Sequence, residues 1–296
     1  MREGLDFSIG RYMIALIIVL GVFVLICIVS WIVDTHRYVI RQYEISDNRI
    51  KRNMRFVLLS DLHNKEYGVE NQKLIKSIHE LNPDAILIAG DLCNGLKGHD
   101  FTTALNLVRE LNKDYALYYG FGNHEYRLRR YPNNYGDMWD RYSQALSDIG
   151  VHIMDNEHVY LEESNIDISA VTIEREFYKR FRRGIRLQES DMKRYLGEAR
   201  KDAFELLIAH NPEYFKAYSE WGADLTVSGH VHGGIMRLPF VGGIVSPRLI
   251  EFPRYSDGQY TLNNKNMIVS CGLGTHTIHV RVFNPAELSV IDLISK

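Results

Sequence analysis

The chain has 296 residues, 46% of them hydrophobic and 24% charged, so it can bury the core of one large catalytic domain beside a membrane element. Its formal net charge of −2 at pH 7 gives no reason to expect a nucleic-acid partner. Three cysteines are too few for a disulfide framework, which excludes a disulfide-stabilised secreted scaffold and favours a reducing compartment.

The N-terminal region contains a long apolar segment without charged residues, from Tyr12 to Val33. A helix of this length spans roughly 33 Å, enough for the hydrocarbon core of a bilayer. Tyr12 and Trp31 stand near its two ends, where interfacial aromatic residues are common. The segment is too long for a typical signal-peptide core, and no small-residue cleavage site follows it. We therefore expect a tail over residues 1–11 and an uncleaved single-pass transmembrane anchor over residues 12–33.

Basic residues are more frequent after the apolar segment than before it. Two precede it, and five follow it, namely Arg37, Arg41, Arg49, Lys51 and Arg52. The positive-inside rule places the richer flank in the cytoplasm, so a cytoplasmic catalytic domain is expected and an extracytoplasmic one is the alternative. Residues 34–53 are polar and too few for a domain, which predicts a linker with at most a short strand over residues 38–40.

Five short apolar runs follow residue 53, at positions 56–59, 85–89, 116–119, 206–209 and 225–227. They are continuous and partly β-branched, as is typical of strands buried on both faces of a sheet. The polar residues directly after them are Asp61 and His63, Asp91, Asn123 and His124, His210, and His230 and His232. Because ligands gather at the carboxyl ends of strands in open α/β sheets, we expect these side chains to meet at one site.

The donor atoms in this set are the oxygens and nitrogens of Asp, Asn and His, without thiolates. Such donors suit Mn²⁺, the first expectation, with Fe or Zn²⁺ as alternatives, and they do not favour an iron–sulfur site. The residues are too numerous for one tetrahedral ion, which predicts two divalent metals roughly 3.5–4 Å apart. Such a pair can hold a hydroxide nucleophile and neutralise phosphoryl oxygens, so the pattern indicates a metal-dependent hydrolase.

The five blocks read D-x-H, G-D, G-N-H-E, a lone H and G-H-x-H, and in this order they resemble the calcineurin-like metallophosphoesterases. The resemblance covers nearly everything after residue 53, and the C-terminal glycine turns resemble the membrane-associated YkuE-like branch. It implies the family's four-layer α/β/β/α sandwich over residues 54–296. The expected fold class is therefore an α/β metallophosphoesterase sandwich preceded by one N-terminal transmembrane helix.

The resemblance also implies a role for each matched residue. One metal would take Asp61, His63, Asp91 and His232, and the other would take Asp91, Asn123, His210 and His230, with Asp91 bridging. The catalytic residues would be Asp91 and His124, with His124 as a general acid or hydrogen-bond donor held by neighbouring carboxylates. Any one of these residues alone is more often a structural polar group, but five matched blocks favour the ligand interpretation.

Two basic clusters are candidates for substrate binding. The segment from Arg175 to Arg186 combines aromatic and basic residues at helical spacing, which is typical of a surface that contacts anionic lipid headgroups. A solvated helix that packs its aromatic residues on its own domain fits this pattern equally well. A second cluster directly follows the His124 block and could bind another phosphate. The candidate residues are Arg127, Arg129, Arg130, Arg180, Arg182 and Arg183.

The apolar segment, the basic clusters and the predicted metal pair together favour a lipid-linked phosphodiester or pyrophosphate as the substrate. This expectation is similar to the activity of the UDP-diacylglucosamine pyrophosphohydrolases, which cut a nucleotide from an acylated sugar. A membrane-tethered phosphatase for proteins or nucleotides is the alternative. A non-catalytic scaffold would be signalled by a missing ligand or a missing His124, and the sequence retains all of them.

Overall fold

The structure is a computed structural model that describes residues 2–95, 100–179, 186–238, 242–245, 252–275 and 279–296, with side chains from residue 11 onward. The helices within these residues are α1 Arg2–His36, α2 Gln72–Leu81, α3 Thr102–Leu111, α4 Asn123–Arg130, α5 Pro132–Tyr135, α6 Met138–Asp148, α7 Glu189–Leu196 and α8 Phe215–Trp221. The strands are β1 Tyr38–Asp47, β2 Met54–Leu59, β3 Ala85–Ala89, β4 Ala116–Gly120, β5 His152–Met154, β6 Glu157–Leu161, β7 Ile166–Val171, β8 Phe204–Ala209, β9 Leu225–Ser228, β10 Met236–Leu238, β11 Gly242–Val245, β12 Gly258–Leu262, β13 Lys265–Val269 and β14 Ala286–Ser295.

The first sheet has six strands in the order β1-β14-β2-β3-β4-β5. Strands β2, β3, β4 and β5 run parallel, whereas β14 is antiparallel to β2 and parallel to β1. All of β3 and the last four residues of β2 are buried, as their continuous apolar runs predict.

The second sheet also has six strands, in the order β12-β13-β9-β8-β7-β6. Its four central strands are parallel, and β12 and β6 pair antiparallel at the two edges. The two sheets pack face to face through fully buried apolar side chains, including Phe56 and Leu87 from the first sheet and Leu206 and Val227 from the second.

Helices cover the outer face of each sheet. Apolar residues at helical spacing, such as Leu74 and Ile78 of α2, pack on the first sheet together with α3 and α6. Met192 of α7 and Tyr218 of α8 are buried on the second sheet. The predicted four-layer α/β/β/α sandwich is confirmed.

The segment between the apolar helix and β2 differs from the expectation of a linker. Strand β1 is ten residues long and pairs with β14 from Tyr38 and Ala286 to Asp47 and Ser295. It lies at the sheet edge, where polar residues are tolerated on the solvent side, so it lacks the continuous apolar run of a buried strand. The sequence pattern therefore predicted only residues 38–40 as a strand, which are three of the ten residues of β1.

Helix α1 is continuous over 35 residues and extends beyond the predicted apolar segment at both ends. From Arg11 to His36 it is long and apolar enough to cross a membrane, and its most apolar part is not buried against the domain. Side chains such as Ile17 and Leu25 are 64% and 60% exposed, which is unusual for an aliphatic helix in a water-soluble protein.

Candidate metal centre

The candidate ligands come together at the carboxyl ends of five strands, between the two sheets. In chain order, β2 leads into Asp61 and His63, β3 into Asp91, β4 into Asn123, β8 into His210, and β9 into His230 and His232. The first three strands belong to one sheet and the last two to the other. The site thus depends on both sheets.

Most of these ligands have a left-handed backbone conformation. Positive φ values of 49° to 70° occur at Asp61, His63, Asp91, His230 and His232. The left-handed region costs a residue with a side chain on the order of 1–3 kcal/mol and persists where the surroundings enforce it, often at functional sites. Asp and His tolerate this region better than β-branched residues do, which fits their use at these sharp strand-to-loop turns.

The glycines of the motifs make room for the carboxylates. A Cβ atom at Gly122 would collide with the side chain of Asp91, and a Cβ atom at Gly229 would collide with Asp61 and Ser60. The glycine in each of these blocks therefore allows a backbone to lie directly against a candidate ligand.

One group of ligand atoms comprises Asp61, His63 and His232, all within 4.8 Å of one another. Nε2 of His232 lies 3.3 Å from Oδ1 of Asp61 and 3.3 Å from Nε2 of His63. The backbone N of His230 donates to both carboxylate oxygens of Asp61, at 3.1 and 2.9 Å, and thereby fixes the carboxylate.

Asp91, His210 and His230 form a second group within the same distance, and Asp91 also groups with His63 and His124. Nε2 of His210 lies 3.2 Å from Oδ2 of Asp91. Asp91 therefore lies between ligands that belong to the two predicted metal positions.

Several donor orientations fit a bound cation. Nδ1 of His210 donates to the carbonyl O of Ala89 at 2.6 Å, which directs Nε2 toward the carboxylates. Oδ1 of Asn123 is buried and has no hydrogen-bond partner among the described residues. A buried carbonyl oxygen without a donor is costly unless something else satisfies it, and a divalent cation would do so.

The charges at the site are strongly coupled. Burial alone would lower the pKa of His210, but the carboxylates of Asp91 and Asp61 outweigh it and raise that pKa to about 10. Burial and the charge of Asp91 raise the pKa of Asp61 to about 6. Burial would also raise the pKa of Asp91, yet His210 and His124 hold it well below its usual value. The negative field that favours a proton on His210 also favours a metal cation.

Glu125 is the fourth residue of the G-N-H-E block, and the sequence alone predicts no role for it. Its fully buried carboxylate accepts from the backbone N of Asp91 at 2.8 Å and of Gly122 at 3.0 Å, and from the hydroxyl of Tyr119 at 2.9 Å. Burial and the neighbouring Asp91 raise its pKa to about 7. Glu125 thus ties the end of β3 to the start of α4 and fixes the backbone of two motif blocks.

His124 contacts a carboxylate and a backbone donor, since its own backbone N donates to Oδ1 of Asp91 at 2.8 Å. The sequence-based expectation of support by neighbouring carboxylates stays a prediction, and the structure adds a backbone contact, in which Nδ1 of His124 accepts a hydrogen bond from the backbone N of Gly95 at 2.8 Å. Nε2 lies 3.8 Å from Oδ2 of Asp91. Because Nδ1 is an acceptor here, the proton of the neutral ring is on Nε2, the atom that faces the cluster.

The three arginines of the α4 cluster have different surroundings. Nε of Arg127, one helical turn after Asn123, donates to the carbonyl O of Asn123 at 3.3 Å. Arg129 forms an ion pair with Asp155, and Arg130 is exposed near the end of the helix. Arg127 is therefore the member of this cluster that contacts a candidate ligand residue.

The described part of the second basic cluster packs on its own domain. Residues Arg175–Tyr178 form a short 3₁₀ helix in which Phe177 is buried in the core under the second sheet. The ring of Tyr178 packs edge-on against His230, with ring centroids 5.1 Å apart. These two aromatic residues therefore face the protein interior and the metal cluster, as the interpretation of aromatic residues packed on their own domain expects, whereas the lipid-contact interpretation places them in a membrane surface. The candidates Arg180, Arg182 and Arg183 lie outside the described residues.

The chain is similar to known proteins over most of its length. The family profile described as calcineurin-like phosphoesterase matches residues 54–234. The chain belongs to the calcineurin-like phosphoesterase family. This confirms the predicted family, and the protein is a metal-dependent phosphoesterase, a hydrolase. Members of the family typically bind two divalent metals, and the Asp and His clusters could hold them.

Curated relatives support the same assignment. The chain is 26% identical over 247 residues to the uncharacterized metallophosphoesterase YkuE of Bacillus subtilis, covering 81% of this chain and 79% of that protein. It is 21% identical over 243 residues to phosphodiesterase YaeI of Escherichia coli, covering 81% and 82%. It is also 25% identical over 258 residues to the transmembrane protein with metallophosphoesterase domain of Danio rerio, covering 81% of this chain and 53% of that protein.

Proposed function

We propose that the protein is a membrane-anchored hydrolase with two divalent metals that cleaves a lipid-linked phosphodiester or pyrophosphate. The observation that carries this proposal is where the exposed apolar helix ends. Nε1 of Trp31 donates to the carbonyl O of His279 at 3.0 Å, and Nζ of Lys65 donates to the carbonyl of Thr35. Lys65 is two positions after His63, so α1 ends against the loop that carries this candidate ligand. A phosphate group attached to a bilayer lipid would therefore lie near the cluster.

The proposed metal is manganese, with iron or zinc as alternatives, because the donors are oxygen and nitrogen atoms. The two ligand sets are Asp61, His63, Asp91 and His232 for one ion, and Asp91, Asn123, His210 and His230 for the other. When bound, the ions supply an activated water and neutralise charge on the phosphoryl oxygens. The bridging role of Asp91 is supported by its position in groups with His63 and with His210.

The proposed role of His124 is to donate a proton or a hydrogen bond from Nε2 to the leaving-group oxygen. The backbone N of Gly95 supports this role because its hydrogen bond to Nδ1 keeps the proton of the neutral ring on Nε2. In this tautomer the neutral ring acts as a hydrogen-bond donor, and transfer of the proton itself would first require protonation of Nδ1, which the contact with Gly95 opposes.

The orientation that we propose is cytoplasmic. Several of the basic residues after α1 are paired with acids, such as Arg37 with Asp34 and Arg52 with Asp84. These pairs do not weaken the proposal, because the positive-inside rule counts Lys and Arg and acidic residues contribute little to it. A reporter fused after residue 296 tests the orientation, and an externally accessible reporter contradicts it.

The central experiment combines metal analysis with hydrolysis assays on the full-length protein in detergent. We expect two Mn²⁺ per chain and faster turnover of a nucleotide-linked diacyl lipid than of a soluble phosphomonoester or phosphodiester. Faster turnover of a soluble phosphomonoester or a phosphopeptide would favour the tethered phosphatase instead. A protein that binds two metals and hydrolyses none of these substrates would contradict both functions.

A further inference from the structure

The apolar helix α1 carries a buried carboxylate in its last turn, that of Asp34. Asp34 is 3% exposed. Its Oδ2 accepts from the hydroxyl of Ser30 at 2.8 Å and from the backbone N of Asn284 at 3.1 Å. Its Oδ1 accepts from Nε and Nη2 of Arg37 at 3.0 and 2.8 Å. The carboxylate therefore connects α1 to a distant part of the chain.

Asn284 extends this connection to the metal centre. The residue is fully buried, and its Nδ2 donates to the carbonyl O of His232 at 2.7 Å and to the carbonyl of Gly234. His232 is a candidate ligand with φ of 54°, so its backbone needs support to keep this conformation. A Cβ atom at Gly233 would collide with Asn284, which shows how closely the amide packs against this turn.

The residues around Asn284 support the same site. The guanidinium of Arg281 is buried and donates from Nη2 to the carbonyl O atoms of Cys271, Gly272 and Gly274, at 2.8, 3.0 and 2.6 Å. The carbonyl of Gly274 also lies 3.3 Å from Nδ1 of His232. On the opposite side, the backbone N of Phe283 donates to Ser30 at 2.7 Å. The 279–285 segment is therefore bonded to α1 on one side and to the turn of His232 on the other.

We infer that Asp34 is a positioning residue of the metal centre, which acts through Asn284 on the backbone of His232. The end of the apolar helix is then a structural part of the catalytic domain in addition to an anchor. The inference rests on the proposed two-metal function, because it assigns Asp34 to the support of one of the two ions. Loss of the carboxylate leaves the backbone N of Asn284 without its acceptor in a buried place, and the amide that holds His232 loses its fixed position.

The test measures metal affinity directly. Full-length protein in detergent is stripped with a chelator and titrated with Mn²⁺ against a fluorescent chelator, so that the two affinities are resolved without an activity assay. In Asp34→Ala, we expect one site to weaken by about 10-fold, the lower end of the range for groups that orient metal ligands, while the other site keeps its affinity. At saturating Mn²⁺, the KM for a soluble phosphodiester should stay at the wild-type value.

Two further variants separate positioning from general destabilisation. Asp34→Asn retains an oxygen that can accept from Asn284, so it should restore the affinity close to the wild-type value although it loses the charge opposite Arg37. Asp47→Ala is the matched control, because it also removes an acid that pairs with an arginine, Arg49. Asp47 is the last residue of β1, so the whole strand separates it from the end of α1. This control should leave both affinities unchanged. If Asp34→Ala does not fold, Ser30→Ala removes the acceptor for Phe283 and should weaken the same site to a smaller extent.

The outcomes distinguish this inference from the proposed function. Unchanged affinities in both Asp34→Ala and Ser30→Ala would overturn the positioning role while the proposed function stands. An equal loss in Asp34→Asn and Asp34→Ala would also overturn it, because the loss would then follow the ion pair with Arg37. A wild-type chain that binds a single Mn²⁺ would overturn the proposed two-metal function itself.

Discussion

At the residue scale, the candidate ligand residues are held by hydrogen bonds to residues that lie far away in the sequence. Asp61 is fixed by the backbone N of His230, and the backbone N of Asp91 is fixed by Glu125. Each of these hydrogen bonds holds a candidate ligand residue in one orientation in the metal-free protein. This lowers the entropic cost of metal binding. Replacing a candidate ligand therefore tests whether that side chain binds metal. Replacing a residue that holds a ligand tests whether metal binding depends on the orientation of the ligand.

The proposed bridging role of Asp91 predicts the effect of a conservative substitution. Asp91→Asn removes the negative charge and one of the two oxygens that would bind metal, while it keeps the side-chain volume. We expect the bound metal to fall from two ions to one and turnover to be abolished, as measured by elemental analysis and a phosphodiester assay. Asp148→Asn on the exposed face of α6 is the control. Near-normal activity with two ions bound would exclude Asp91 as the bridge.

His124 predicts a different combination of results. His124→Ala should lower kcat by about 10²–10⁴-fold, the usual contribution of general acid–base catalysis, because the leaving group loses its donor. Both metals should remain bound, since His124 belongs to neither proposed ligand set. The exposed His79→Ala serves as the control. Loss of one metal from the His124 variant would show that this residue is a ligand, as its grouping with His63 and Asp91 also allows.

At the element scale, strand ends were more predictable from sequence than the contacts between elements. The apolar runs before Asp61, Asp91 and His210 indicated buried strands because burial on both faces leaves a continuous local pattern. Strand β1 left a weaker pattern, because an edge strand is half polar. The roles of Glu125 and Asn284 left none, because their partners are backbone atoms brought close by the fold. Sequence patterns therefore predict where ligands lie and not what holds them.

The basic segment after Tyr178 gives a prediction on membrane contact. Reversing three charges in Arg180→Glu, Arg182→Glu and Arg183→Glu should raise the KM for a lipid substrate in anionic liposomes by at least about 10-fold, since each basic residue near such a surface contributes about 1 kcal/mol. Hydrolysis of a small soluble phosphodiester should be unaffected. The control reverses the charges of the exposed Lys76, Lys113 and Lys216. Equal losses on both substrates would indicate that the segment supports the core.

At the scale of the whole molecule, the two sheets carry ionisable groups in places where water is excluded. Glu205 on β8 is 1% exposed and accepts from the hydroxyl of Ser169 at 2.5 Å. Burial, which is the largest influence, and the nearby charge of Asp167 raise the pKa of Glu205 to about 8. The carboxyl is therefore neutral in the folded protein at a pH at which it ionises in the unfolded chain.

This difference predicts how stability depends on pH. The pKa of Glu205 is higher in the folded state than its ordinary value of 4.5, so its contribution is fully present below pH 4.5 and is lost as pH rises toward about 8. Glu205→Gln has no ionisable group at this position, so it does not lose stability in this way as pH rises. The free energy of unfolding of the variant minus that of the wild type should therefore increase with pH, by on the order of 2 kcal/mol at the alkaline end. Thermal unfolding at pH 5 and pH 8 measures this, with the exposed Glu44→Gln as control. A difference independent of pH would refute the assignment.

The order of strands in the first sheet has a consequence for how the protein folds. β14 lies between β1 and β2, and Nε2 of Gln42 bonds Oδ2 of Asp292 at 2.6 Å across 250 positions of the chain. During synthesis, β1 and β2 emerge early and must wait for residues 286–295 before this sheet can close. Until then, each strand presents an unpaired edge to other chains. A ribosome-stalled or truncated chain without these residues is therefore expected to aggregate, even though every proposed metal ligand has already been made.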